Sequence, residues 1–232
     1  MTSWRNGPWP ALVAALGDRP HHRDVEHALR SAGWSSAGAG DWAIALRSPD
    51  GAFAARISPF DPMGPYTARL YREAAATRHV PMLLLHLRLE GGGDLQIMEW
   101  LAPVPEDIAR DVHQAIATGR PETAALAAII DGVHEDARAL LPWCGPLDNN
   151  PANVMRAADG HLVVMDLFYA DGLGLYTAAS ETPELVAASI PEHERRYMTE
   201  IPLAGSGPWQ PGEQERIRQL LLNADNKSRG GL

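Results

Sequence analysis

The stretch Leu147-Asp148-Asn149-Asn150-Pro151-Ala152-Asn153-Val154-Met155 constrains this chain more than any other. Asn149, Asn150 and Pro151 resist helix and favour a tight turn, so Asp148 and Asn153 fall on a loop that runs into a strand. Asp159-Gly160 between two apolar runs is a short hairpin signal. The chain therefore turns back at Ala158-Asp159-Gly160 and returns as Leu162-Val163-Val164-Met165, which delivers Asp166 beside the first pair. Asn153 and Asp166 then stand at the two mouths of one hairpin, within reach of a shared divalent cation. Asp148 stands at the start of the loop, free to accept a proton. Asp166 emerges directly from Val-Val-Met, where a lone carboxylate is costly without a cation. The competing reading has Asp148 and Asn153 capping an ordinary turn and Asp166 merely ending a strand.

The pattern Asp148-x-x-x-x-Asn153, followed by Asp166-Leu167-Phe168, resembles the catalytic loop and metal-binding triplet of the protein-kinase-like fold, in the version used by aminoglycoside phosphotransferases and related small kinases. The resemblance covers roughly residues 33 to 168. It implies a bilobal α+β fold: a small antiparallel-sheet N-lobe over residues 1–101, with N-terminal helices and a helix equivalent to the family's αC, and a mostly helical C-lobe over residues 102–232. It further implies ATP and Mg2+ as cofactors, Asp148 as the catalytic carboxylate, and Asn153 and Asp166 as magnesium ligands. The implied reaction moves the γ-phosphate to a hydroxyl of an antibiotic-like or metabolic small molecule. Two alternatives stay open: a kinase acting on a peptide or protein hydroxyl, and a catalytically degenerate kinase-like binding protein.

Composition narrows the remaining classes. A formal charge of −9, from 20 basic and 29 acidic residues, argues against nucleic-acid binding, which needs a basic footprint. One cysteine excludes an internal disulfide framework. Met1-Thr2-Ser3-Trp4-Arg5 leads into no long apolar run and nothing approaches a membrane span, so a cytoplasmic protein is expected. Oligomeric state is left open.

In chain order, Trp9-Pro10 opens a short apolar segment to Leu16. A helix is expected over about 22–32, with Val25, Ala28 and Leu29 on one face and Gly33 as its stop. Residues 35–41 read as a loop, followed by strands over 42–46 and 52–57 joined by Ser48-Pro49-Asp50-Gly51. The resemblance sets Gly38 and Gly40 over the ATP phosphates, where glycine lets backbone N–H groups approach closely. They form no Gly-x-Gly-x-x-Gly, however, and a plain flexible loop is the other reading. In Phe53-Ala54-Ala55-Arg56-Ile57 the resemblance places Arg56 where the family carries lysine. Arginine grips phosphate with two donors but is bulkier, and an edge-strand arginine in solvent is the alternative. Its expected partner is Glu73, the only acid on a helix expected over about 66–79, with a solvent pairing to Arg69 as the alternative. Strands follow over 82–89 and 95–100 around the turn Glu90-Gly91-Gly92-Gly93-Asp94. Met98-Glu99-Trp100-Leu101, ahead of Ala102-Pro103-Val104-Pro105, resembles the hinge whose backbone reads adenine. A strand end packed on a core is the plainer reading.

Beyond that boundary, helices are expected over 106–118 and 121–141, the second burying Ala125, Ile129, Val133 and Leu140, with His134 as a partly buried core residue. Pro142-Trp143-Cys144-Gly145-Pro146 breaks the chain before Asp148, and Cys144 reads as a packed small residue. Two departures from the family stand here. Pro146-Leu147 replaces its histidine, which mainly braces the loop, and Asn150 replaces a lysine or histidine. Residues 169–176 carry no assignable pattern. Helices are expected over 184–200 and 211–224, the latter packing Ile217, Leu220, Leu221 and Leu222, with a loop over 204–209 and a solvated tail over 226–232. The long helical insert with which typical aminoglycoside phosphotransferases hold their acceptor is missing, so the acceptor half reads as reduced.

Overall fold

A computed structural model describes residue 11 and residues 14–202 and 209–230. Trp9-Pro10, nearly all of the expected 204–209 loop and the last two residues of the expected tail lie outside the described residues. Among those described, no helix is long and apolar enough to cross a membrane.

The first lobe is a five-stranded antiparallel sheet in the order β1-β2-β3-β5-β4: β1 Ser35–Ala39, β2 Ile44–Arg47, β3 Phe53–Ser58, β4 Leu83–Arg88 and β5 Asp94–Glu99. The period-two alternation of a strand divides its two faces. Ala55, Ile57, Leu95 and Ile97 pack into one core with Val25 and Leu29 of helix α1 (His22–Ser31). Their neighbours Ala54, Arg56, Gln96 and Met98, paired Ala54↔Met98 and Arg56↔Gln96, are left for the opposite face. The expected loop over 35–41 is instead strand β1 plus a short turn; pairing with β2, with a register shift between Ser36 and Gly38, outweighs the weak propensity of a Ser-Ser-Ala-Gly-Ala sequence.

Helix α2 (Gly64–Glu73) buries Ala68, Leu70 and Tyr71, the last two in a core shared with the second lobe. It starts earlier and stops sooner than the expected 66–79 helix. Pro65 sits in its first turn, and beyond Glu73 the chain passes through a 3-10 turn, Ala75–Thr77, to a left-handed Arg78 at φ 61°.

The second lobe begins with β6 (Ala102–Pro103), which pairs with β7 (Val154–Arg156), itself paired with β8 (Leu162–Val164). Helices α3 (Glu106–Ala117) and α4 (Ala124–Leu140) lie between. The buried face of α4 is Leu126, Ile130, Val133 and Ala137. Of the expected stripe, Val133 is buried and Ile129 packs partly buried against the core, while Ala125 faces solvent and Leu140 is 72% exposed. Asp171 Oδ1 accepts the Gly174 N–H at 3.0 Å and starts α5 (Gly172–Glu181) where no pattern was legible. The single helix expected over 184–200 is broken by Pro191 into α6 (Pro183–Ser189) and two 3-10 turns, Glu192–Glu194 and Met198–Glu200.

Helix α7 (Glu213–Gly230) buries Ile217, Leu221 and Ala224, while Leu222 is exposed. It runs through most of the expected solvated tail, because the buried Arg195 grips both Asp225 oxygens at 2.6 and 2.7 Å. The arrangement is bilobal α+β and follows the protein-kinase-like order that the sequence resemblance implies.

Candidate active site

The segment leading to Asp148 is held by backbone pairing of residues 143–148 with residues 167–171. Asp148 N–H donates to Leu167 O at 2.9 Å, Gly145 N–H to Tyr169 O at 2.9 Å and Asp171 N–H to Trp143 O at 2.7 Å. The brace that the missing histidine leaves open comes from two helices. His134 of α4 donates from Nε2 to Gly145 O at 2.8 Å and stacks on Phe168, centroids 5.6 Å apart and nearly coplanar. His113 of α3 donates to Asn150 O at 3.1 Å. Nothing in the sequence around Asp148 announces them, since both act across long sequence separations.

Three side chains meet at the hairpin mouth. Asp148 Oδ1 accepts the Asn150 N–H at 2.9 Å, and its Oδ2 accepts the Asn153 Nδ2–H at 2.9 Å. The Asn153 amide also reaches Asp166 O at 3.3 Å, which leaves its Oδ1 as the free acceptor. Met165 N–H donates to Asn153 O at 2.8 Å, closing the hairpin beside Val154↔Val164. Asp166 takes a left-handed φ of 48°, uncommon for a non-glycine residue, and its N–H donates to the buried Tyr71 hydroxyl at 3.2 Å. Its side chain is 35% exposed. Burial nevertheless pushes the carboxyl above its ordinary range, against the pull of Arg56 and with the push of Asp61 and Asp148.

Arg56 reaches this group from β3, its Nε 3.4 Å from Asp166 Oδ1. The expected Glu73 partnership does not form. Glu73 lies on the solvent face of α2, 2.6 Å from Arg69, which also pairs with Asp136 at 2.6 Å. Arg56 instead donates to Asp61 Oδ2 at 2.7 Å. Asp61 Oδ1 accepts the Met63 and Gly64 N–H groups, both at 2.9 Å, so one buried carboxylate caps α2 and holds the arginine. Burial alone would lower the guanidinium's pKa, but Asp166, Asp61 and Asp94 together raise it well above the arginine norm. Asp61 was missed in the sequence; the signal was an aspartate just ahead of a proline-marked helix start.

Arg56, Asp61, Asp148, Asn153 and Asp166 line one cavity of about 470 Å³, and Gly38 and Gly40 form part of its rim. Both glycines are exposed, neither has positive φ, and the Gly40 N–H is already donated to Ala43 O at 2.8 Å. Beside it opens a more apolar cavity of about 600 Å³, walled by Ala45, Ala54, Met98, Val104, Met155 and Met165. Ala45, Ala54, Met98 and Met165 belong to both, so the two form one bipartite cleft.

Glu99, Trp100 and Leu101 border the apolar part. The Trp100 N–H is donated to Ala52 O at 2.8 Å and its ring lies under the Arg47 guanidinium at 4.2 Å. Glu99 Oε1 accepts the Met82 N–H at 2.9 Å. Leu101 N–H has no hydrogen-bond partner among the described residues.

Fold and site together define a two-lobed α+β protein with a polar, carboxylate-rich cleft that opens into an apolar slot. No family model matches the chain, and no curated protein matches it. Among solved structures it is similar to the macrolide 2'-phosphotransferase MphH from Brachybacterium faecium, at 13% identity over 89% of this chain and 94% of that one, with a TM-score of 0.35. It is also similar to the kinase domain of PknI from Mycobacterium tuberculosis, at 16% identity over 84% and 96% of the two chains, with a TM-score of 0.30. The chain's own side chains, rather than that likeness, decide its chemistry.

Proposed function

We propose that this chain is an ATP- and magnesium-dependent phosphotransferase that moves the γ-phosphoryl group to a hydroxyl of a small molecule. The observation that carries the reading is the convergence of Asp148, Asn153, Asp166 and Arg56 on one cavity continuous with an apolar slot. Adenine fits the slot, its edge read by the Glu99 carbonyl and the Leu101 N–H. Arg56, anchored by Asp61, grips phosphate oxygens. The Asn153 Oδ1 and the Asp166 carboxylate form a donor set suited to magnesium, which takes one or two protein oxygens and completes its shell from phosphates and water.

When bound, magnesium supplies positive charge between acid and phosphate. A carboxylate facing a phosphate oxygen at about 4 Å otherwise costs on the order of 4 kcal/mol at an effective dielectric near 20. Asp148, fixed by the Asn150 and Asn153 donors, orients the acceptor hydroxyl and takes its proton. The acceptor oxygen bonds to the γ-phosphorus as the bond to the β-bridging oxygen breaks, and ADP leaves with that electron pair.

A second reading has an observation of its own. Arg56 Nε already lies 3.4 Å from Asp166 Oδ1, so part of that carboxylate's charge is met without a metal, which favours a nucleotide-binding protein that does not transfer. Thermal-shift titration separates the two. Stabilisation by ATP that requires magnesium, with label passing from ATP to a hydroxyl compound, is expected for the phosphotransferase. Stabilisation independent of magnesium and without label transfer would favour the binding protein, and indifference to ATP would remove both.

A further inference from the structure

We infer that Arg88, which lines neither part of the cleft, is a positioning residue for the phosphate grip: it fixes Asp61, through which Arg56 is aimed, and ties that aim to the second lobe through Glu194. The inference rests on the proposed function only for what Arg56 grips; the chain of contacts stands by itself.

Asp61 has no polar atom left over. Its carboxylate oxygens hold Arg56 and the first turn of α2. Its main chain is held as well: the N–H donates to Gly92 O at 2.9 Å, and the carbonyl accepts the Arg88 Nη1–H at 2.7 Å. Both partners belong to β4 and the turn after it, so Asp61 is hung from that hairpin as well as from its own helix start.

Arg88 is in turn held from two sides. Its Nε and Nη2 reach Glu194 Oε2 at 2.8 and 2.7 Å, and its Nη1 lies 3.7 Å from Asp94 Oδ2. Asp94 is completely buried and is fixed by His86 Nε2 at 2.7 Å and Gln96 Nε2 at 2.8 Å. Its carboxylate also presses on the start of α2 and leaves no room for a Cβ on Gly64. A guanidinium suits this place because its planar fork serves partners in different directions at once. The competing reading is a plain staple between lobes, in which Arg88 and Glu194 add stability and nothing else. Against it stands the Nη1 donor, spent on the main chain of the one residue that anchors Arg56.

The test compares magnesium-ATP with adenosine, which fills the slot but carries no phosphate, by calorimetric titration of the full chain. Arg88→Gln should lower the preference for ATP over adenosine about fivefold while adenosine affinity stays within about twofold. Glu194→Gln, on the other lobe and still an acceptor, should lower it by about two- to threefold. Because Arg88 acts through Asp61, Asp61→Asn combined with Arg88→Gln should cost no more than Asp61→Asn alone. Circular dichroism checks the fold; if Arg88→Gln does not fold, Glu194→Gln and its combination with Asp61→Asn decide. A lower melting temperature with an unchanged ratio, equal loss of ATP and adenosine affinity, or additive effects in the combined variant would overturn the inference. A wild-type chain that binds ATP no better than adenosine would remove the phosphate grip, and with it both the inference and the phosphotransfer reading. Failure of the inference alone leaves the wild-type preference intact, so the two failures are told apart.

Discussion

At the scale of single residues, Asp61 rather than Glu73 decides how Arg56 stands in the cleft. An exposed (i, i+4) pair such as Arg69–Glu73 contributes little, whereas breaking a buried, hydrogen-bonded pair costs about 3–5 kcal/mol. Asp61→Asn keeps the shape and the cap acceptor but removes the charge facing Arg56, which should then swing toward Asp166. We expect the KM for ATP to rise about tenfold, roughly 1.4 kcal/mol, while Glu73→Gln leaves it within twofold; steady-state kinetics of the two variants check this, and the opposite ranking would restore Glu73. Asp148→Asn should lower turnover by about two to four orders of magnitude with nucleotide affinity nearly intact. Equal loss of both would show that Asp148 holds the site's shape rather than a proton. The sequence revealed Asp148, Asn153 and Asp166 because turn chemistry is local. It hid Asp61 because no motif marks an arginine and an aspartate five residues apart as a pair until the chain turns between β3 and α2, and it suggested Glu73 only because no other acid stood on that helix.

At the scale of elements, local signals marked the hairpins and tertiary contacts redrew the helices. Ser48-Pro49-Asp50-Gly51 and Asp159-Gly160 place β2–β3 and β7–β8 because Gly51 and Gly160 take the positive φ those turns need. Strand β1 and the run of α7 to Gly230 depend on partners, β2 and Arg195, rather than on the propensities of their own residues, whereas the break at Pro191 is local. The loop before Asp148 shows the same division. Its breaker was legible in Pro142 and Pro146, but its rigidity comes from His134 and from the close approach of Tyr169 to Gly145, where an added Cβ would lie 2.7 Å from the ring. Gly145→Ala should therefore shift the 143–148 segment against 167–171. Loss of about 1–3 kcal/mol of stability is expected, with turnover falling further than thermal stability predicts because Asp148 moves with the segment. Denaturant titration beside kinetics would show it, and a neutral substitution would mean that Tyr169 yields freely.

At the scale of the whole molecule, the two lobes meet through the hinge, through α2 and the segment after it, and again at the back. There the β4–β5 turn meets residues 192–200: Arg88 pairs with Glu194 at 2.7 Å and Arg196 with Glu90 at 2.6 Å, while Arg23 of α1 pairs with Glu200 at 2.6 Å. The contact is close enough that a Cβ on Gly92 would fall 1.9 Å from Glu194 O. His22 makes this joint sensitive to acid. It is buried beside His21, Tyr197 and Glu200, its Nδ1 without a partner among the described residues and its Nε2 3.4 Å from Glu200. Burial, then the neighbouring His21, lowers its pKa from 6.5 to about 4, against the opposing pull of Glu200. Because the folded value is depressed, the unfolded chain binds the proton first, and the stabilisation present above pH 6.5 is lost as pH falls toward 4. The full shift would correspond to about 3 kcal/mol, and screening by nearby solvent reduces this to about 1–2 kcal/mol. Thermal melts from pH 7 to 4 should show that loss, and His22→Phe should flatten the slope over this window while the carboxylate titrations below it persist. An unchanged slope in the variant would show that His22 is not the source of the joint's acid sensitivity.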